Sequence, residues 1–160
     1  MERLKDRVAI VTGSGQGMGL SIGHACAREG AKVVVADIND QTIGSAVDEI
    51  RMKNGAQVMG VKVDITKRSE VTKGVQQVLD AWGRIDCLVN CAGGALNTPY
   101  RLEEIEEKHG DLVVDVNMKG TFLCCQQVIP VMVKQGKGAI VNISALAGHW
   151  RASLAGVQYS

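Results

Sequence analysis

The sequence predicts an α/β fold: a doubly wound parallel sheet of five strands with helices on both faces, in three layers. Short apolar runs rich in β-branched residues alternate with longer segments of helical spacing, as a parallel sheet covered on both faces requires. Glycines that suit a left-handed helix end stand before the next apolar run, at Gly30, Gly55, Gly83 and Gly136. Such an alternation predicts parallel strands joined by right-handed crossovers.

Each apolar run predicts one strand, and the five runs lie at 8–11, 33–36, 58–63, 87–90 and 139–143. Two of the intervening segments have an apolar helical face. These are 41–54, with Ile43, Val47 and Ile50, and 67–82, with Val71, Val75, Val78 and Leu79. Asn39 or Asp40 is expected to cap the first of these helices, and Thr66 the second.

The segment 97–110 breaks this alternation, since it holds Pro99 and then an acidic cluster of Glu103, Glu104, Glu106 and Glu107. We interpret the cluster as a solvated first helical turn, where the helix dipole favours acids. The alternative is an acid/base or metal-binding role. A long helix is predicted at 111–135, and Pro130 should bend or end it.

Composition excludes several classes of partner. The 160 residues include 46% hydrophobic and 22% charged residues, with a net charge of +1. These values are typical of one globular domain, here residues 1–160, without a nucleic-acid or membrane partner. No apolar run approaches the roughly 20 residues of a membrane span, and the charged N-terminus leads directly into a strand. We therefore expect a cytoplasmic protein.

The cysteines and histidines indicate neither disulfides nor a metal site. Five cysteines, an odd number without framework spacing, are typical of reduced thiols. Cys87 and Cys91 are interpreted as small buried apolar residues. The three histidines lie far apart in the sequence, so no metal ligand set is expected.

A glycine-rich turn, TGSGQGMG at 12–19, follows the first strand and leads into a helix. Gly13 permits the tight turn, Gly17 lets the backbone approach a phosphate, and Gly19 lets the helix lie close to the strand. The free amides at the helix start suit an anion. The alternative is a simple tight turn. If a dinucleotide binds, the loop residues predicted to contact it also include Ser14, Gln16 and Met18.

Two acids follow the next strands. Asp37 closes the second strand, where a carboxylate accepts hydrogen bonds from an adenosine ribose 2′-OH and repels a 2′-phosphate. Gln16 stands in the glycine loop and no basic residue directly follows Asp37, so NAD(H) is favoured over NADP(H). The Asp64 carboxylate could accept a hydrogen bond from the exocyclic amine of adenine. The alternatives are a helix cap for Asp37 and an ordinary loop acid for Asp64. Each acid is followed by a further predicted cofactor contact, Ile38 and Ile65.

These motifs resemble the short-chain dehydrogenase/reductase family, of its classical type, along the whole chain. The turn matches the family's TGxxxGxG pattern, and Asn-Cys-Ala-Gly at 90–93 matches its NNAG element. Residues 116–122, 138–144 and 157–160 match the stretches that carry its asparagine, its serine and the start of YxxxK. The resemblance implies a Rossmann-type fold, with cofactor contacts at Asn90, Ala92 and Gly93 and a catalytic set of Asn117, Ser144 and Tyr159.

Three positions depart from the family pattern. Cys91 stands in place of the second asparagine of NNAG. This replacement is expected to affect a contact in the sheet rather than catalysis. Ala145 falls where the family's substrate-touching serine stands, so Ser144, or more remotely Ser153, would have to replace it. The lysine of YxxxK would stand beyond Ser160. This chain is therefore expected to be an inactive N-terminal part, about two-thirds, of a longer domain.

The resemblance implies NAD(H)-dependent interconversion of a secondary alcohol and a ketone, with a small-molecule alcohol or ketone as substrate. Tyr159 would be the acid/base, Ser144 would hold the substrate oxygen, and Asn117 would break the long helix locally and hold a water in a proton relay. One alternative is a non-catalytic or regulatory dinucleotide-binding module. Another is a methyltransferase, which leaves the Asn90, Asn117 and Tyr159 segments unexplained.

The resemblance also implies a homo-oligomer, a dimer or tetramer. The helix at 118–133 is a candidate interface through Phe122, Val128 and Val131. The alternative is that these residues pack on the chain's own sheet. Trp150 and Leu154 are expected either to line the substrate site or to cover the core.

Overall fold

A five-stranded parallel sheet forms the centre of the structure. This computed structural model describes residues 2–99 and 101–145. The strands lie in the order β3-β2-β1-β4-β5, and all neighbouring pairs are parallel. Their bounds are β1 (Val8–Thr12), β2 (Lys32–Asp37), β3 (Val58–Lys62), β4 (Cys87–Asn90) and β5 (Ala139–Asn142). The predicted fold class is confirmed.

Helices cover both faces of this sheet. They are α1 (Gly17–Arg28), α2 (Asp40–Asn54), α3 (Arg68–Trp82), α4 (Glu107–Val114) and α5 (Thr121–Gln135). A short 3₁₀ turn (Leu102–Glu104) precedes α4, and a π-helical segment (Asp115–Gly120) joins α4 to α5. The region predicted as one long helix is therefore continuous but changes its winding around Asn117.

The core has two apolar layers, one on each face of the sheet. Alternate residues of β1 and β2, such as Ile10 and Val34, pack with α3 and α5. The residues between them, such as Ala9 and Val33, pack with α1 and α2. All five residues of β1 are buried, which explains why its apolar run is unbroken. Each fully buried valine contributes about 1.5–3 kcal/mol.

The helix ends confirm most of the predicted signals. Gly55, Gly83 and Gly136 close α2, α3 and α5 in the left-handed region, with φ of 61°, 69° and 70°. Asn39 caps α2, because its side-chain oxygen accepts hydrogen bonds from the N–H groups of Gln41 (2.9 Å) and Thr42 (3.4 Å).

The predicted cap of α3 was wrong. The helix begins at Arg68 after Lys67, and no side chain caps it. Thr66 lies one residue before the N-cap position, which is held by Lys67. Its hydroxyl instead donates to the Asp64 carboxylate at 2.7 Å, a local hydrogen bond within the loop before α3.

The acidic cluster does not form a single helical turn. Glu103 and Glu104 lie in the 3₁₀ turn, and of the four acids Glu107 lies in the first turn of α4. All four side chains are exposed, in agreement with the solvated interpretation. Glu106 precedes α4, and its backbone N–H donates to Nδ1 of His109 at 3.1 Å.

Pro130 was expected to bend or end the long helix. It does not end it, because α5 continues to Gln135, and Val128 and Met132 on either side are buried in the core. The interface prediction for the same helix needs correction. Val128 is only 1% exposed and cannot lie on an outer interface. Val131 is half-buried and also packs against the core. Of the three proposed interface residues, only Phe122, at 55% exposure, faces outward.

Candidate functional site

From β1 the chain continues to β2 and β3 on one side of the sheet and then to β4 and β5 on the other, so the strand order reverses at β1. The carboxyl ends of β1, β2 and β4 lie together at this point. In doubly wound sheets this switch point is where ligands bind. Two neighbouring cavities lie there. The first, of about 410 Å³, includes Gln16, Asp37 and Asp64 in its walls. The second, of about 480 Å³, includes Met18, Asn117 and Ser144. Both are lined by Cys91, Ala92 and Gly93.

The glycine turn between β1 and α1 has the geometry that its sequence predicts. Gly13 has φ of 65°, and a Cβ there would lie 2.7 Å from the Ala92 Cα. A Cβ on Gly19 would overlap the Gly13 carbonyl oxygen, so this glycine allows the helix to pack against the turn. Gly17 differs, because a Cβ there would meet nothing within 4 Å. Its φ of 58° and its open surroundings leave room for a ligand beside the backbone.

The start of α1 fits an anion. It has no acidic residue in its first turn, and Gln16 at the N-cap forms no side-chain cap. The positive end of the helix dipole is therefore not neutralised by the protein itself. Together with the open Gly17 and the adjoining cavity, these residues fit the pyrophosphate of a dinucleotide.

Two hydroxyls stabilise this turn. The buried Ser14 hydroxyl donates to the Val11 carbonyl at 2.6 Å and accepts from the Ala36 N–H at 3.1 Å. Thr12 was not singled out from the sequence, yet its Oγ1 accepts from the N–H groups of Cys91 (3.0 Å) and Ala92 (3.1 Å). Ser14 thus links β1 to β2, and Thr12 holds the loop after β4 beside the glycine turn.

Asp37 lies at the end of β2 and lines the first cavity. Its Oδ2 accepts a hydrogen bond from the Gly15 N–H at 2.9 Å, and its Oδ1 accepts from the Ile38 N–H at 2.8 Å. The Asn39 N–H donates to the same Oδ1 at 3.3 Å. A carboxylate has about four acceptor positions, so these three bonds orient it and leave Oδ2 able to accept from a ligand. The cap alternative is excluded, because Asn39 caps α2.

Asp64 lines the same cavity from the end of β3. Its Oδ1 accepts from both the N–H and the hydroxyl of Thr66, and its Oδ2 lies 3.2 Å from the Lys67 Nζ. Burial alone would raise the pKa of this carboxyl, but these hydrogen bonds and the lysine charge outweigh it and lower the pKa. Asp64 therefore stays ionised at neutral pH. Ile38 and Ile65, the neighbours of the two acids, also line the cavity.

Asn117 lies in the π-helical segment and holds the loop after β4. Its Nδ2 donates to the carbonyls of Gly94 (3.0 Å) and Val113 (2.9 Å), and its Oδ1 accepts from the Gly94 N–H at 2.9 Å. A Cβ on Gly93 would overlap the same Oδ1. The asparagine thus fixes both polar backbone groups of Gly94 at the wall of the second cavity.

Ser144 and Ala145 follow β5 and both line the second cavity, together with Asn117. Ser144 is exposed, so a hydroxyl is present on this wall, beside Ala145, where the resemblance places the family's serine. Asn90 is buried beneath the loop. Its Nδ2 donates to the Asn142 Oδ1 across β4 and β5 at 2.8 Å. The departure at Cys91 leaves this cross-strand link intact.

The cysteines behave differently from the prediction in one respect. Cys26 and Cys124 are buried, and burial raises the pKa of the Cys124 thiol to about 12. Cys91 is half-buried and lines both cavities, so it is not simply a core residue. Burial also raises its pKa, so its thiol is neutral at physiological pH.

Several predicted residues lie outside the described part of the chain, namely Tyr159, Ser153, Trp150 and Leu154. Within residues 2–99 and 101–145, no group of three or more His, Cys, Asp or Glu side chains is arranged to hold a metal ion. No helix in that part is long and apolar enough to cross a membrane.

Comparison with known proteins finds similarity to dehydrogenases and reductases. The chain is 41% identical over 144 residues to the hydroxy(phenyl)methylsuccinyl-CoA dehydrogenase subunit BbsD of Thauera aromatica, covering 90% of this chain and 57% of BbsD. An NAD⁺-bound xylitol dehydrogenase superposes with a TM-score of 0.87 at 27% identity, covering 92% of this chain and 56% of that one.

A second solved structure, an actinorhodin polyketide ketoreductase with NADPH, superposes with a TM-score of 0.89 at 29% identity, covering 96% of this chain and 58% of that one. The chain thus spans less than two-thirds of the length of each of these relatives. The family model described as short chain dehydrogenase matches residues 7–160. The chain therefore belongs to the short-chain dehydrogenase/reductase family of nicotinamide-dependent oxidoreductases.

Proposed function

We propose that this chain binds NAD(H) in preference to NADP(H), as the cofactor-binding part of an enzyme that interconverts a secondary alcohol and a ketone. The Asp37 carboxylate carries the proposal. The Gly15 and Ile38 N–H groups orient it in the wall of a cavity that, within residues 2–99 and 101–145, is lined by no Lys or Arg. A 2′-phosphate there would face a negative charge without a compensating cation, whereas a ribose 2′-OH would have an acceptor.

The first cavity, in this proposal, takes the adenosine half of the cofactor, and the second takes the nicotinamide half and the substrate. The pyrophosphate would lie between them, at Gly17 and the start of α1, with Ala92 and Gly93 alongside. The bound nicotinamide supplies the chemistry by giving or accepting a hydride. Ser144 would hold the substrate oxygen, and Tyr159 would move its proton.

Asn117 would act by position in this mechanism, because its side chain is occupied by Gly94 and Val113. We expect its backbone to face the proposed water relay. The lysine that the resemblance places after Tyr159 would lower the tyrosine pKa and is not among these 160 residues. We therefore propose that these residues alone bind the cofactor without turning over substrate.

The NAD(H) preference is tested by Asp37→Asn. Asparagine keeps an oxygen for the Gly15 N–H but removes the charge, so the ratio of NADPH to NADH affinity should rise about tenfold or more. Calorimetric titration of both cofactors at one ionic strength measures it. Asp40→Asn is the matched control, because Asp40 is exposed, pairs with Lys62 at 2.7 Å and does not line the cavity. An unchanged ratio in the Asp37 variant would refute the assignment.

One observation favours a second function, a non-catalytic or regulatory dinucleotide-binding module. Ala145 lines the second cavity where the family's serine would stand. The two functions are separated by following NADH absorbance with a panel of secondary alcohols and ketones on the full-length protein. Turnover supports the enzyme, and cofactor binding without turnover supports the module.

We also propose the domain, the oligomeric state and the cellular location of the protein that contains this site. Val141 and Ile143 on or beside β5 are 46% and 40% exposed, and in the described residues β5 pairs on one side only, which supports a longer single domain. A homo-oligomeric partner is supported by four exposed apolar side chains at helical spacing, Met118, Phe122, Ile129 and Val133. A cytoplasmic location is supported by the five free cysteines.

A further inference from the structure

Leu96, in the loop after β4, has an unusual backbone conformation. Its φ is 56°, and that of the following Asn97 is 59°. Asparagine tolerates this left-handed region, but leucine rarely enters it because its Cβ approaches the neighbouring backbone. Such a conformation persists only where the surrounding structure enforces it, and it occurs most often at functional sites.

The surrounding contacts do enforce it. The Thr98 N–H and hydroxyl both donate to the Ala95 carbonyl, at 3.1 Å and 2.6 Å, and close a four-residue turn whose two central residues have positive φ. Thr98 is only 6% exposed. On the other side, Asn117 binds both the N–H and the carbonyl of Gly94. The turn is thus fixed at both ends, and Leu96 stands between them.

Leu96 is half-buried and lines the same cavity as Asp37 and Asp64. Two further apolar side chains line it, Leu112 of α4 and Val116 of the π-helical segment. Leu112 is 45% exposed, so this side of the cavity presents apolar surface that nothing in the described chain fully covers. Asn97, the neighbour with the same φ, is exposed and does not line the cavity.

We propose that Leu96 is a cofactor-binding residue, held in a strained conformation so that its side chain forms an apolar wall against the adenosine half of the dinucleotide. The strain is present before binding, so the wall does not have to be ordered when the cofactor arrives. This inference rests on the proposed function, since it needs a dinucleotide in the first cavity.

The test separates strain from contact by two matched substitutions in the full chain. Leu96→Gly removes both the strain and the wall, whereas Asn97→Gly relieves a similar conformation and leaves the wall. ADP-ribose, which lacks the nicotinamide, is titrated by calorimetry, and unfolding in urea is followed with and without it. Leu96→Ala, which removes the side chain but keeps a Cβ, guards against effects of added flexibility.

We expect Leu96→Gly and Leu96→Ala to bind ADP-ribose about fivefold or more weakly, as the loss of a half-buried apolar contact implies. Asn97→Gly should bind as the wild type does. Without ligand, Leu96→Gly should unfold at no lower urea concentration than the wild type. If both Leu96 variants bound ADP-ribose with wild-type affinity, the proposed role of Leu96 as an apolar wall would be refuted, whereas the proposed function would not. If the wild type itself bound no ADP-ribose, both proposals would fail together.

Discussion

At the edge of the sheet opposite the site, the Asp86 side chain links the starts of β1 and β4. Asp86 directly precedes β4, and its side chain is 7% exposed. Its carboxylate accepts from the Val8 N–H at 3.0 Å, from Arg7 at 3.0 Å, and from two nitrogens of Arg84 at 2.7 and 2.5 Å. Burial alone would raise the pKa of this carboxyl, but these donors outweigh it and lower the pKa to about 2.

The Asp86 pKa predicts an acid-sensitive stability. Because the folded pKa lies below the unfolded value of 3.8, the stabilisation is complete above pH 4 and is lost as the pH falls towards 2. It amounts to about 2 kcal/mol. Urea unfolding of the wild type and Asp86→Asn across this range should show a smaller loss in Asp86→Asn, which keeps only the loss from other carboxyls with a lowered pKa, such as Asp64. Asp115→Asn, which breaks an exposed pair with Lys119, should change stability by less than about 1 kcal/mol. Equal acid slopes in wild type and Asp86→Asn would contradict the assignment.

Single residues of the site differ in how far the sequence reveals them. Asp37 and Asp64 were predictable, because each directly follows a strand and the ends of parallel strands meet at one edge. Thr12 and Leu96 were not. The role of Thr12 depends on hydrogen bonds to a loop distant in sequence, and the role proposed for Leu96 depends on a backbone angle that leucine rarely adopts.

At the scale of helices and strands, local chemistry decided the boundaries. Glycine supplies the left-handed residue after α2, α3 and α5, so their ends were predictable. Thr66 does not cap α3 because the helix begins one residue too late, after Lys67, and the Thr66 hydroxyl bonds to Asp64 instead. The π-helical winding around Asn117 could not be predicted from helical periodicity, since it depends on contacts with Gly94.

One glycine inside α2 and one directly after it give a matched prediction. Gly44 lies inside the helix and a Cβ there would meet nothing within 4 Å, so Gly44→Ala should raise the free energy of unfolding by about 0.5–1 kcal/mol. Gly55 is equally open but has φ of 61°, so Gly55→Ala should lower it by about 1 kcal/mol. Urea midpoints measure both. Changes of the same sign would show that backbone conformation does not decide these positions.

For the whole molecule, the alternation of apolar runs and helical segments was enough to predict the sheet, because its central strands β1, β2 and β4 are largely buried between two helical layers. The exposed face of α5 was predicted less well. Helical spacing identified Phe122, but it could not separate the face of α5 that packs on the sheet, with Val128, from the face that is exposed, with Ile129 and Val133. That distinction depends on how the whole helix is docked.

The central claim, that the first cavity receives an adenosine ribose beside Asp37, is tested most directly by titrating this chain with ADP-ribose and with its 2′-phosphate. The two ligands differ only at the group that Asp37 would face. The account predicts that ADP-ribose binds about tenfold or more tightly than the 2′-phosphate. Equal or tighter binding of the 2′-phosphate, or no binding of either ligand, would contradict it.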